Sequence, residues 1–152
     1  MCGGVEARDA EKIWKVYFPN PKAAIPVLDL FTGEVAWVPW GRRKEQPGTG
    51  PQGGWARLES VEEGKWAKYQ PQRALGLVQR FMEKDADRKS HWFDMQPGHA
   101  LECLLLGEGG QRRVYVVTSS PPEQYAWIHD RWPLSAPLPV PPHPKSKPKT
   151  TL

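Results

Sequence analysis

Arg112-Arg113-Val114-Tyr115-Val116-Val117-Thr118-Ser119 is the stretch that decides the fold. Four β-favouring residues stand in series, with no polar residue to mark a solvent face. A continuous apolar run of this length reads as a strand buried on both sides. Working outward, residues 107–111 form a turn, and residues 91–95 and 99–106 read as strands joined at Gln96-Pro97-Gly98. Pro121 and Pro122 open a short helix over 123–128. Upstream, 23–30 and 34–40 flank Thr32-Gly33 and read as a hairpin, and 73–84 reads as one strand. Val5, Ile13, Trp14 and Val16 cover one face of a short helix over 5–15, which Pro19-Asn20-Pro21 ends. With 17 prolines and 14 glycines in 152 residues, the chain reads as one α+β domain of short elements rather than a helix bundle.

The formal charge of +4 permits a polyanionic partner, and eight tryptophans beside arginines and lysines suit single-stranded nucleic acid. Of the two cysteines, Cys103 lies in an apolar run and reads as core. No Cys/His spacing resembles a metal site, and no apolar stretch approaches the length of a membrane span. The expectation is a soluble, cytoplasmic protein, monomeric, with no metal and no cofactor. Residues 41–54 form a basic, glycine-rich loop without the Walker pattern. It reads either as a flexible surface loop or as a phosphate-contacting arm built on Arg42, Arg43 and Lys44. Residues 135–152 alternate proline and lysine and read as a disordered basic tail, so the folded domain is expected to span 1–134.

The chemistry starts at Met1-Cys2-Gly3-Gly4. Once Met1 is removed, Cys2 carries an α-amine, ordinarily titrating at about 7.7–8.0, and a thiol near about 8.5. The amine forms an imine with an aldehyde, the thiol adds to it, and a five-membered thiazolidine results. Such a nucleophile needs a proton carrier that titrates near neutrality, which histidine supplies. His129 follows Ile128 and precedes Asp130 and Arg131; Glu83 ends an apolar strand; Arg57 follows the glycine loop. Singly, each has a plain reading: a structural hydrogen-bonding histidine, a solvated carboxylate paired with Lys84, a surface arginine. Together with Cys2 they form a set with chemistry.

These residues resemble the SRAP family (SOS-response-associated peptidase). The match runs in order through Met1-Cys2-Gly3, Ile25-Pro26-Val27, Trp40-Gly41, Trp55-Ala56-Arg57-Leu58-Glu59-Ser60, Phe81-Met82-Glu83, Val116-Val117-Thr118 and Ile128-His129-Asp130-Arg131-Trp132-Pro133, covering about residues 2–134. The resemblance implies a mixed, mostly antiparallel β-barrel-like core with a few short helices and a basic groove for single-stranded DNA. It implies a thiol autopeptidase that removes Met1 and captures abasic sites covalently through Cys2, with lyase-like chemistry and a place in the SOS response to DNA damage. Glu83 would be the proton-transfer carboxylate and His129 the acid/base. Arg57 would grip a phosphate, and Trp40 and Thr118 would line the DNA groove; apart from the resemblance, Arg42 and Arg43 of the basic loop and Arg131 are further DNA-binding candidates. The chain departs from the pattern twice: Gly4 stands where the family has arginine, and Trp55 where it has asparagine. An indole cannot accept a hydrogen bond, so Trp55 suits stacking on a base instead. Two other readings share these residues: an N-terminal-cysteine peptidase, and a non-catalytic single-strand binder.

Overall fold

A computed structural model describes residues 3–139. The chain is mostly strand, arranged in two sheets. The smaller has the order β2-β1-β7-β8, from β1 (Gly4–Asp9), β2 (Lys12–Tyr17), β7 (Arg80–Lys84) and β8 (Ser90–Asp94). The larger runs β11-β10-β9-β6-β3-β4, from β3 (Ala24–Asp29), β4 (Val35–Pro39), β6 (Gln72–Gly76), β9 (His99–Leu106), β10 (Arg113–Ser119) and β11 (Trp132–Pro133). The short strand β5 (Trp55–Arg57) lies parallel to β10, and β12 (Ser135–Pro137) pairs with β9. One short helix, α1 (Leu58–Glu62), follows β5 directly.

Both sheets bury one pleat face in a common core. Val5 and Ala7 of β1 and Phe81 of β7 meet Ile25, Val27, Val38, Leu101, Cys103, Val114 and Val116 of the larger sheet. The two-residue spacing is the strand period that places alternate side chains on one face. β10 is buried on both sides. Val114 and Val116 enter the shared core, while Tyr115 and Val117 pack with Trp66 and Ala56 beneath α1. The hairpin read at 23–40 is present, with Pro26 opposite Trp37.

Five expectations are corrected. The sheets are not closed into a barrel; an isolated bridge between Trp40 and Val114 links β4's end to β10 without completing a ladder. Residues 5–15 are not a helix. β1 and β2 form an antiparallel hairpin pairing Gly4 with Tyr17 and Asp9 with Lys12, turning at Ala10 with φ +53°. The stretch 73–84 is two strands in different sheets, broken at 77–79, and the helix at 123–128 is a 3-10 turn at Glu123–Tyr125. The folded region also runs past residue 134: Ala136 is buried against β9, and Leu138 packs on the same cluster. The remaining proline- and lysine-rich residues of the expected tail lie outside the described residues.

Candidate functional site

The start of the described chain is tied into the small sheet from both sides. Gly3 N–H donates to the Met82 carbonyl at 3.0 Å, and Phe18 N–H donates to the Gly3 carbonyl at 3.1 Å. β1 thus runs between β2 and β7, with Gly3 held next to the residue that precedes Glu83. Cys2, the expected nucleophile, lies outside the described residues.

Gly3 lines a cavity of about 450 Å3. Tyr17, Phe18 and Trp55 form its aromatic wall, Met82 and Lys84 come from β7, and His129 closes it. The N-terminal segment, the Glu83 strand and the His129 segment, far apart in sequence, therefore meet at one place.

His129 is oriented by the backbone that follows it. The Arg131 N–H donates to His129 Nδ1 at 3.0 Å, so in the neutral ring the proton sits on Nε2. Asp130 Oδ1 is also 3.1 Å from Nδ1, a contact that would favour the charged ring. Asp130 is exposed, and its pull is screened by solvent. Burial dominates and lowers the His129 pKa below the ordinary value. The ring is a neutral donor through Nε2 at physiological pH.

Arg131 anchors this segment. Its guanidinium makes two bonds of 2.8 Å to the Glu59 carboxylate and donates at 2.7 Å to the Thr118 carbonyl. This paired geometry suits arginine and joins α1, β10 and the histidine segment. The side-chain bonds from Arg131 hold the Glu59 carboxyl at about 2, well below the usual range.

Glu83 is fully buried in β7, opposite His91 of β8. Burial pushes its carboxyl up to about 7. A carboxyl that titrates there can both give and take a proton at neutral pH.

The aromatic wall has its own logic. Trp40 and Phe18 meet edge to face at 5.5 Å, and Trp55 packs on Phe18 at 4.7 Å and on Trp40 at 6.0 Å. Trp40 Nε1 donates to the Gly54 carbonyl at 3.0 Å, which also accepts the Val116 N–H at 2.9 Å. A side chain at Gly54 would meet the Phe18 ring and Trp40 Nε1, each at 2.7 Å, so only glycine fits.

Several expected DNA contacts are placed otherwise. Trp40 is completely buried and supports the wall from behind rather than lining a groove. Thr118 is also fully buried, its hydroxyl and carbonyl facing Arg131. Arg131 itself is buried in the Glu59 clamp. Arg42 donates to the Gly50 carbonyl at 2.7 Å and the Gln46 carbonyl at 2.9 Å. Arg43 lies 3.9 Å over the Phe18 ring and donates to the Trp40 and Phe18 carbonyls. Arg42 braces the 41–54 loop from within and Arg43 ties it to the domain, so both fold inward instead of extending. Arg57 is exposed, with its guanidinium 3.9 Å from Glu59. Trp55 is half-buried with its ring on the cavity. Reading the sequence missed Tyr17, Phe18 and Lys84 in the cavity. The β-branched and aromatic residues Ile13, Trp14, Val16 and Tyr17 were the signal for the strand that carries the first of them.

Among the described residues, no three His, Cys, Asp or Glu side chains come together as a metal-holding group, and no helix is long and apolar enough to cross a membrane. Compared with protein-family models, curated proteins and solved structures, the chain gives no match.

Proposed function

We propose that this protein captures abasic sites in single-stranded DNA as a covalent thiazolidine on Cys2, once Met1 has been removed. One observation carries the reading. Gly3, the residue directly after Cys2, is fixed by two backbone hydrogen bonds on the wall of a cavity that also holds His129, and β7 brings Glu83 alongside.

The chemistry needs few groups. The Cys2 amine attacks the open-chain aldehyde of the abasic deoxyribose and forms a carbinolamine. That loses water to give an imine; the thiolate then adds to the imine carbon and the ring nitrogen takes a proton. The net change is aldehyde plus aminothiol to thiazolidine plus water. Glu83, titrating at about 7, is suited to protonate the departing hydroxyl and to take a proton back. The Nε2–H of His129 is suited to donate to the sugar ring oxygen during ring opening. Arg57, exposed two residues beyond Trp55, and Lys84, exposed on the cavity wall, are the cations suited to a flanking phosphate.

The test is a denaturing gel of the protein with single-stranded DNA carrying one abasic site, after intact mass has confirmed Met1 loss. A heat- and SDS-stable band that Cys2→Ala abolishes is expected. Its absence from protein that has lost Met1, or its persistence in Cys2→Ala, rejects the mechanism.

A second reading, non-covalent single-strand binding, is favoured by Trp55. An aromatic ring stands on the cavity where the resembled family carries an asparagine amide, and stacking needs no nucleophile. In that case Cys2→Ala changes nothing and affinity falls steeply with salt.

A further inference from the structure

β2 and β4 are end strands of their respective sheets, and a second cavity of about 400 Å3 opens between them. Trp14 and Tyr17 of β2 and Trp37 of β4 supply its aromatic surface. Trp14 is 46% exposed and Trp37 39%, although large aromatic rings are ordinarily well covered. Lys22 and Asp9 are charged residues of its lining, Lys12 Nζ stands 5.1 Å over the Trp14 ring, and Lys15, whose backbone reaches the cleft, turns its Nζ to the other face of β2, 5.2 Å over Trp92. Tyr17 also lines the Gly3–His129 cavity, so the two spaces share a wall.

We infer that this cleft is a stacking subsite for an unpaired base of single-stranded nucleic acid, in which Trp14 and Trp37 take the base and Lys12 and Lys22 its phosphates. The inference rests on the proposed function, since it sets where the strand runs as it leaves the candidate site. Indole faces and flexible ammonium groups in one groove are the pairing that grips single strands without reading sequence. The excess of lysine over Asp9 suits a polyanion. The charge on β2 opposes the other use of an end strand: Lys12 and Lys15 are the kind of residues that keep edges from pairing with another chain. The volume is ample for one base and its sugar.

The test uses fluorescein-labelled oligothymidylate of about ten nucleotides without an abasic site, so that Cys2 chemistry plays no part. Anisotropy at low salt should show binding by the wild type. The double variant Trp14→Ala/Trp37→Ala should bind at least about tenfold more weakly, as expected for losing a stacked base. Both rings are about half covered, so the melting temperature should fall, and binding is compared below it on protein whose circular dichroism matches the wild type. Lys12→Glu/Lys22→Glu is the second variant, and it should weaken binding and flatten its salt dependence. Photocrosslinking with an oligonucleotide carrying 5-iodouracil should place adducts on the peptides containing Trp14 or Trp37. A matched oligouridylate reads which sugar is preferred, and dependence on the two tryptophans with either sugar supports the subsite. No binding by the wild type, equal affinity of the tryptophan variant, or adducts confined to other peptides overturns it. So does sedimentation showing a wild-type dimer that the tryptophan variant dissociates, because the cleft would then be a self-contact. The two proposals fail separately. Loss of abasic capture with tryptophan-dependent oligothymidylate binding rejects the first alone. Cys2-dependent capture with unchanged oligothymidylate affinity in the variant rejects the second alone.

Discussion

The backbone N–H of Arg131 donates to Nδ1 of His129 at 3.0 Å, while the side chain of the same arginine grips Glu59 through two bonds of 2.8 Å. One residue thus sets the histidine's tautomer and fixes the segment that carries it. Arg131→Lys keeps the charge but cannot make the paired bonds. Because the guanidinium is buried against a half-exposed partner, the expected loss is about 2 kcal/mol of stability. The His129 titration, followed by NMR of the ring protons, should move up toward the ordinary histidine value as the segment loosens. Capture of abasic DNA should slow in parallel. An unmoved titration with unmoved stability would show that the clamp does not position the ring.

Glu83 gives a pH dependence with a definite sign. Its folded pKa is about 7, raised by burial from an ordinary value of 4.5. Between those values the folded state holds more protons than the unfolded state, so this group's contribution falls as pH rises from about 4.5 to about 7. The full span corresponds to about 3 kcal/mol. Glu83→Gln should remove that slope, making the variant more stable than the wild type at pH 8 and changing little at pH 4.5. Chemical denaturation across this range measures it. His129 acts in the opposite sense: its folded pKa is depressed, so its contribution is lost as pH falls through the ordinary histidine value. The Glu83→Gln profile should therefore retain a small rise with pH below about 6.5.

The parts of the fold legible in the sequence were those that local pattern specifies. Val114, Tyr115, Val116 and Val117 announce a strand buried on both faces, and β10 has a cluster on each side. The Thr32-Gly33 turn announces the β3–β4 hairpin, where Gly33 takes φ +79°. The β1–β2 hairpin was misread because its turn carries no glycine or proline. Ala10 takes the left-handed conformation that those signals normally mark. The site shows the same division. Glu83 and His129 stood out by residue type, but the Tyr17–Phe18–Trp55 wall depends on long-range pairing of β1 with β2 and β7 and of β5 with β10. The basic character of 41–54 was plain in composition; that Arg42 and Arg43 fold inward onto backbone carbonyls was not.

Trp55 is the departure from the resembled pattern with the clearest consequence. Its ring packs on Phe18 and Trp40 and fills one side of the cavity. Trp55→Asn removes that packing, and for a half-buried indole the expected cost is about 2 kcal/mol. It also enlarges the cavity and supplies an amide that can accept a hydrogen bond beside the reacting sugar. On the proposed function, the variant should melt at a lower temperature yet form the Cys2-dependent adduct faster. Adduct formation slower than wild type in a folded variant would mean that the indole contributes to capture by stacking on the DNA.

Gly54 tests the framework behind that wall. Its carbonyl takes the Trp40 indole N–H and the Val116 N–H, and a methyl group there would lie 2.7 Å from both Phe18 and Trp40 Nε1. Neither neighbour is the loose end of a flexible chain. Phe18 is held by the backbone bond to Gly3 and covered by Arg43, and Trp40 is fully buried. Gly54→Ala must therefore push the rings apart or shift β5 along β10. Overpacking of this kind costs about 1–3 kcal/mol. Because Phe18 N–H is the donor that fixes Gly3, displacement should reach the N-terminal segment as well. The expected result is a lower denaturant midpoint with faster amide exchange at Phe18. By contrast, Gly64→Ala, where φ is +82° but nothing lies within 4 Å of the added carbon, should lower stability without altering exchange at Phe18. Equal exchange at Phe18 in both variants would show that the aromatic wall does not carry strain from Gly54 to the candidate site.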